Sequence, residues 1–373
     1  MAVYYKLGIK SFSESKDRII RNNQNNNQYI DTIENANFIN GYDLFTYSPA
    51  RYQDQNKKAL LDDVIQNKKY IPSKQDILIA RFYPKPLPNY YTYEQHCDMS
   101  KTYAFIPNTF DYIPSDEVNV IDWHMNFANY DIFSYYHGSL LAQDELQVLE
   151  CPQLACLREY LLQQSNQNNG DKPFSTRVME NNLPYPILIS NTERAIDLNT
   201  ANLYGNSFSS SSKSTVLKSY KYLNPSQIIN IIAIEAPKYG QGSYTIQQIE
   251  YILQACLTAY SAAKTLANTT YILNKQKSAK MPLKTYIHTG WFGCGAYGGN
   301  RAIMIVLQIL AAKMAGIEKI IFHTVTDNCQ QEIQNAETCL KNLFDNDHKP
   351  LSINELITKI VNEHFQWGFS NGT

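Results

Sequence analysis

The chain has 373 residues, of which 44% are apolar and 18% charged, and its formal net charge is −1. Such a balance excludes a disordered chain, and it leaves no bulk charge to draw in nucleic acid or an anionic membrane. The length suits one large domain or two ordinary ones, with room for a sizeable core.

The opening residues, MAVYYKLGIKSFSES, lack the apolar core of a secretory signal. The most apolar stretch, 302 to 316, is interrupted by Gln308 and Lys313 and is too short to span a bilayer. Seven scattered cysteines without a CxxC pair, and seven histidines without HExxH, argue against a disulfide scaffold and a zinc site. The expectation is a cytosolic protein in a reducing compartment, with no metal and no membrane contact.

In chain order, a helix is predicted over Asn56 to Lys68, followed by aromatic, proline-rich connections such as PKPLPNYYTY. Residues 1–115 read as an irregular, partly helical extension packed on the main body, and residues 116–373 as the main domain. VNVIDW is a strand candidate. Leu140 to Gln164 is helical with a break at Pro152. PILIS (186 to 190) and IINIIAIEA (228 to 236) are β-branched runs that fit buried strands. Thr245 to Ala263 reads as an amphipathic helix. Then come strand KTYIHT, a glycine loop, helix RAIMIVLQILAAKMA closed by Gly316, and strand IEKIIFHTV. Asn22 to Gln28, Gln163 to Lys172 and Ser207 to Ser214 are polar and read as solvated loops. Strands alternating with helices indicate an α/β sheet covered on both faces.

The glycine loop, HTGWFGCGAYGGN (288 to 300), holds five of the chain's fifteen glycines. It follows a strand and opens a helix, where free amides and the macrodipole favour an anion. A tight turn without a ligand is the plainer reading, but five glycines exceed what a turn requires. The loop ends in Gly298-Gly299-Asn300 rather than Gly-Lys-Ser/Thr, so it is not a Walker A loop. Gly293 to Gly298 fits GxGxxG, yet no acidic residue stands at the end of the next strand as a dinucleotide site would want.

Thr289 to Asn300 closely resembles, without a gap, the TGNWGCGAF-x-GD loop of poly(ADP-ribose) glycohydrolases, which are macrodomain proteins. A second segment resembles the same family. Phe127-Ala128-Asn129 matches its FAN, and Gln143-Asp144-Glu145 follows at the spacing of its QEE. Cys151-Pro152-Gln153-Leu154 is similar to its Ser-Pro-Glu-Leu. The resemblance covers roughly residues 118 to 327. It departs at Phe133-Ser134-Tyr135, where the family has three glycines, at Asp144 for Glu, and at Val325 for an aromatic that serves adenine.

The resemblance implies a three-layer αβα sandwich with a mixed central sheet, carrying the N-terminal extension. It implies an enzyme without cofactor that hydrolyses a glycosidic bond of ADP-ribose. Glu145 is the expected general acid and base, Asp144 its neighbour on the ribose hydroxyls, and Asp131 a candidate second acid. Asn129, Gln143 and Asp122 would touch the ligand. Gly290, Phe292, Gly293, Cys294, Gly295, Ala296, Tyr297 and Gly298 would cradle the diphosphate. The departures favour removal of a single ADP-ribose from a protein side chain, with arginine as the leading linkage, over processing of the polymer. A module that reads ADP-ribose without cleaving it remains open. So does a thiol hydrolase using Cys294 with His137 or His288, since a helix N-terminus favours thiolate. The asparagine-rich composition and the resemblance together suggest a bacterial effector working in a host cytosol.

Overall fold

The computed structural model describes residues 14–15, 17–19, 32–96, 101–107, 110–117, 119–165, 173–273, 283–325, 328–344, 349–370 and 372. The expected loop at Asn22 to Gln28, and most of the one at Gln163 to Lys172, lie outside them.

The strands in chain order are β1 (Ile33–Asn40), β2 (Asp76–Phe82), β3 (Tyr90–Tyr91), β4 (Tyr103–Ile106), β5 (Val120–Phe127), β6 (Met179–Glu180), β7 (Leu183–Pro184), β8 (Ile187–Leu198), β9 (Tyr220–Ile234), β10 (Lys284–Thr289), β11 (Lys319–His323) and β12 (Leu351–Ser352). Eight of them form the central sheet in the order β1-β2-β8-β9-β5-β10-β11-β4. β1, β2, β8 and β9 pair antiparallel, whereas β9, β5, β10, β11 and β4 pair parallel. The sheet is therefore mixed.

Residues alternate between its faces with the period of two that a strand imposes. Ile77, Ile79, Ile187, Ile189, Ile231 and Ala233 pack on one side with helix Pro152–Ser165. Leu78, Ala80, Leu188, Ile232, Ile234 and Ile287 pack on the other with helices Ile246–Leu273 and Arg301–Ala315. This gives the expected three-layer αβα sandwich around a mixed central sheet. Among the described residues, no helix is long and apolar enough to cross a membrane.

Helix Arg301–Ala315 shows how sequence sets local structure. The Asn300 side chain accepts from the amides of Ala302 and Ile303, and Gly316 ends the helix at φ 67°.

Two expectations need correction. Residues 1–115 are not an irregular extension outside the sheet: β1, β2 and β4 are three of its eight strands. In β1, IENANFIN, the buried Ile33, Ala36, Phe38 and Ile39 are interleaved with asparagines, which masks the alternation. Ser207 to Ser214 is not a solvated loop either. It forms helix Ser207–Ser210 and starts helix Lys213–Lys218, because Phe208 and Val216 are buried anchors and Ser212 caps the second helix.

Candidate active site

The carboxyl ends of the parallel strands β5, β9, β10 and β11 converge on a cavity of about 770 Å³. This is the usual ligand position in such sheets. Phe127, Ala236, Thr289 and His323, all at or just past those ends, line it.

One wall is the glycine loop. Gly293 and Gly298 take φ of +70° and +73°, a region that L side chains rarely enter. A Cβ on Gly290 would meet the His323 carbonyl oxygen at 2.9 Å, and one on Gly299 would meet the Gly293 oxygen at 2.7 Å. The loop is closed by its own bonds: Phe292 N–H donates to Gly290, Cys294 to Trp291, Gly298 to Gly295 and Gly299 to Gly293. The amides of Gly293, Gly295, Ala296 and Tyr297 donate to no protein acceptor among the described residues, and all four residues line the cavity. Such a run of unused N–H groups before a helix is a concavity suited to an anion. Arg301, the first residue of the helix, also lines the cavity, with its guanidinium 4.6 Å from the Trp291 ring centre.

The facing wall is the start of helix Gln143–Glu150, where Asp144 and Glu145 line the cavity at 7% and 4% exposure. The Asn126 side-chain amide donates to Asp144 at 2.8 Å. Glu145 accepts the Ala142 amide at 3.1 Å, and this bond starts the helix in place of a capping side chain. Burial pushes both carboxyls above the usual range, and repulsion from Glu145 raises Asp144 further. The pair can therefore hold a proton near neutral pH despite the helix dipole.

Asn129 lines the cavity, and its side-chain oxygen is buried without a partner among the described residues. Phe292, Cys294, Gly290 and Tyr297 line it as well, and the Tyr297 hydroxyl donates to Glu235 at 3.3 Å. Gln143 lines it too, but its amide is spent on the end of β5. Its oxygen accepts the Phe127 amide and its nitrogen donates to the Met125 carbonyl, each at 2.9 Å.

Three sequence-selected residues stand elsewhere. Asp131 does not line the cavity; its carboxylate takes two bonds from Arg158, at 2.7 and 2.6 Å, and one from Thr176. Asp122 is also outside, bonded to His288 Nε2 at 3.0 Å and accepting the Ser115 amide. Gly298 turns behind the loop and accepts the Gly368 amide at 2.9 Å. The thiolate expected at Cys294 meets an opposing fact. Burial pushes its thiol up to about 12, and it donates to the Phe292 carbonyl at 3.4 Å. His288 is no base for it, since its ring nitrogens face Asp122 and His323.

The sequence reading missed Arg301, Tyr112, Tyr204 and Tyr239 on the cavity walls. Arg301 was findable as the first helical residue after the loop. Tyr204 arrives through the pairing of Gly205 with Leu141, which no local pattern announces. Val325 does line the cavity at the position where the resembled family has an aromatic.

A family model described as poly(ADP-ribose) glycohydrolase, macro domain fold, matches residues 175–332. The match takes in the glycine loop and β8 to β11, and Asp144 and Glu145 lie upstream of it. No curated protein matches the chain. Among solved structures, the poly(ADP-ribose) glycohydrolase of Thermomonospora curvata bound to the inhibitor ADP-HPD is 11% identical, with a TM-score of 0.39 over 76% of this chain and 98% of that one. The Deinococcus radiodurans enzyme in complex with ADP-ribose is 15% identical, with a TM-score of 0.35 over 68% and 94%. The resemblance read from the glycine loop therefore has an independent counterpart: the family model matches the segment that carries that loop.

Proposed function

We propose that this protein hydrolyses the glycosidic bond of ADP-ribose, freeing a single ADP-ribose from a modified protein side chain, with arginine as the first linkage to test. One observation carries the reading. Four amides without an acceptor among the described residues and a pair of buried carboxyls, both pushed above the usual carboxylate range by burial, line one cavity of ligand size.

In this reading the amides of 293 and 295 to 297 grip the diphosphate, and Asn129 and Asp144 hold the ribose. The Glu145 carboxyl gives its proton to the acceptor atom while the bond from that atom to the anomeric carbon breaks. The bonding electrons leave with the acceptor, and the sugar passes through an oxocarbenium-like state. The Glu145 carboxylate then takes a proton from water as the water oxygen bonds to the anomeric carbon. One water is consumed, and the acid is restored.

Two features support a single unit and an arginine acceptor. Tyr135 stands on the cavity wall within the segment where the resembled family has glycines, so a side chain narrows the opening. Tyr135, Tyr204 and Tyr239 are all more than 40% exposed there, and such ring faces suit a guanidinium.

A panel of substrates, each modified at one residue type and read by mass spectrometry of the released sugar nucleotide, tests the reading. The arginine substrate is expected to release ADP-ribose. Release from polymer alone would replace the single-unit proposal. Glu145→Ala is expected to abolish release, by a factor of at least about 10² to 10⁴, while calorimetry still detects ADP-ribose binding. Binding without release by the unaltered protein would make it a reader of the modification.

A further inference from the structure

Behind the acid pair lies a cation that no motif announces. Lys57 is 0% exposed in helix Gln55–Gln66, far from Glu145 in sequence. Its ammonium donates to the carbonyls of Leu140 at 2.6 Å and Tyr136 at 3.1 Å. Those carbonyls belong to the segment that runs from Asn129 to the start of the Gln143–Glu150 helix. No carboxylate lies within ion-pair distance of Lys57 among the described residues. A buried ammonium without an ion pair is costly unless nearby negative charge offsets its desolvation. Glu145 is the strongest such influence on it, ahead of Asp54 and Asp144.

We propose that Lys57 is a positioning residue of the site: it ties the 136–140 segment from behind and supplies the charge that sets when Glu145 holds its proton. The proposal deepens the glycosidase reading and rests on it for its kinetic consequence only.

The other groups facing the pair are known. Asp54 comes from the start of the Lys57 helix, and Arg158 from helix Pro152–Ser165 acts on Asp144. Tyr204 faces Glu145 from the segment after β8, and Tyr297 faces Asp144 from the glycine loop. Lys57 is the cation with the largest pull on Glu145. Its charge favours the Glu145 carboxylate, so removing it raises the Glu145 pKa. Burial lowers Lys57 itself to about 8, so the cation is present at neutral pH.

The test follows the Glu145 carboxyl by carbon NMR in the full chain, in the unaltered protein, Lys57→Met and Lys57→Arg. Met is expected to raise the titration midpoint by roughly one pH unit. Arg is expected to leave it nearly in place. The falling alkaline limb of release against pH should move upward with Met by the same shift. A midpoint unmoved in folded Met variant, or moved alike by Met and Arg, overturns the charge role and leaves a structural tie. If the Met variant does not fold, Glu145→Gln gives the reciprocal reading. Nitrogen NMR of the Lys57 ammonium should then titrate lower than in the unaltered protein, and an unchanged value overturns the proposal. A protein that releases no ADP-ribose but shows these shifts refutes the glycosidase reading and keeps the Lys57 coupling.

Discussion

The two walls of the cavity differ in how much of their shape is local. The glycine loop takes its turns from within, with a few ties from Thr324, Tyr239 and Gly368. Its turns close over spans of two to six residues, and glycines allow the angles and the close approaches. The 129–142 segment has local turns too, with the amides of Ser134, Tyr136 and Gly138 donating to Asp131, Phe133 and Tyr135, but most of its ties come from other elements. Arg158 and Thr176 hold Asp131, Lys57 holds the carbonyls of 136 and 140, and Gln53 and Asp54 amides donate to the His137 carbonyl. The Tyr136 hydroxyl accepts the Arg51 amide at 2.8 Å and donates to Glu159 at 2.7 Å. The more a wall rests on local turns, the less its form depends on the rest of the fold; the more it hangs on distant side chains, the more it does.

That contrast can be broken from either side. The largest effect is expected from Gly293→Val. A β-branched side chain at φ +70° is strained, and its Cβ would stand 2.5 Å from that of Ala236. ADP-ribose affinity by calorimetry should fall at least tenfold with the sheet intact by circular dichroism. Retained affinity would mean the amides of this wall do not hold the ligand.

A smaller effect is expected from Asp131→Asn on the other wall. It leaves the Arg158 guanidinium, 9% exposed, without its carboxylate. The loss should be about 1–3 kcal/mol of unfolding free energy, below the cost of a fully buried pair because Asp131 is partly exposed. Denaturant unfolding measures it. An unchanged midpoint together with lost release would restore Asp131 as an acid in the reaction. The smallest effect belongs to Cys294→Ala, whose protonated thiol only trims the glycine wall. Release should stay within about twofold of the unaltered rate, an expectation drawn from the inertness of a protonated thiol; loss of release would revive the thiol hydrolase.

The same contrast sets what the sequence could say. The turn at Gly293, the cap bonds of Asn300 and the stop at Gly316 act through neighbours along the chain, so the strand, loop and helix around them were readable, as was the break at Pro152. Asp144 and Glu145 were singled out through the spacing of a resembled motif, and the structure puts them on the cavity. Asp131 lies in the same segment and looked equivalent, but Arg158 and Thr176 come from other elements and claim it. Lys57 and β1 were illegible for the same reason: their meaning lies in partners distant along the chain, and their local composition reads as ordinary surface.

The back of the glycine loop carries one more consequence. Trp367 lies flat on Tyr244, 4.4 Å between ring centres, above Gly240, where no Cβ would fit. From there the Gly368 amide reaches Gly298, and Asn300 donates to the Gln366 carbonyl. During synthesis, residues 366–368 leave the ribosome well after 290–300. The parallel strands are thus synthesised before the residues that close over the back of the loop.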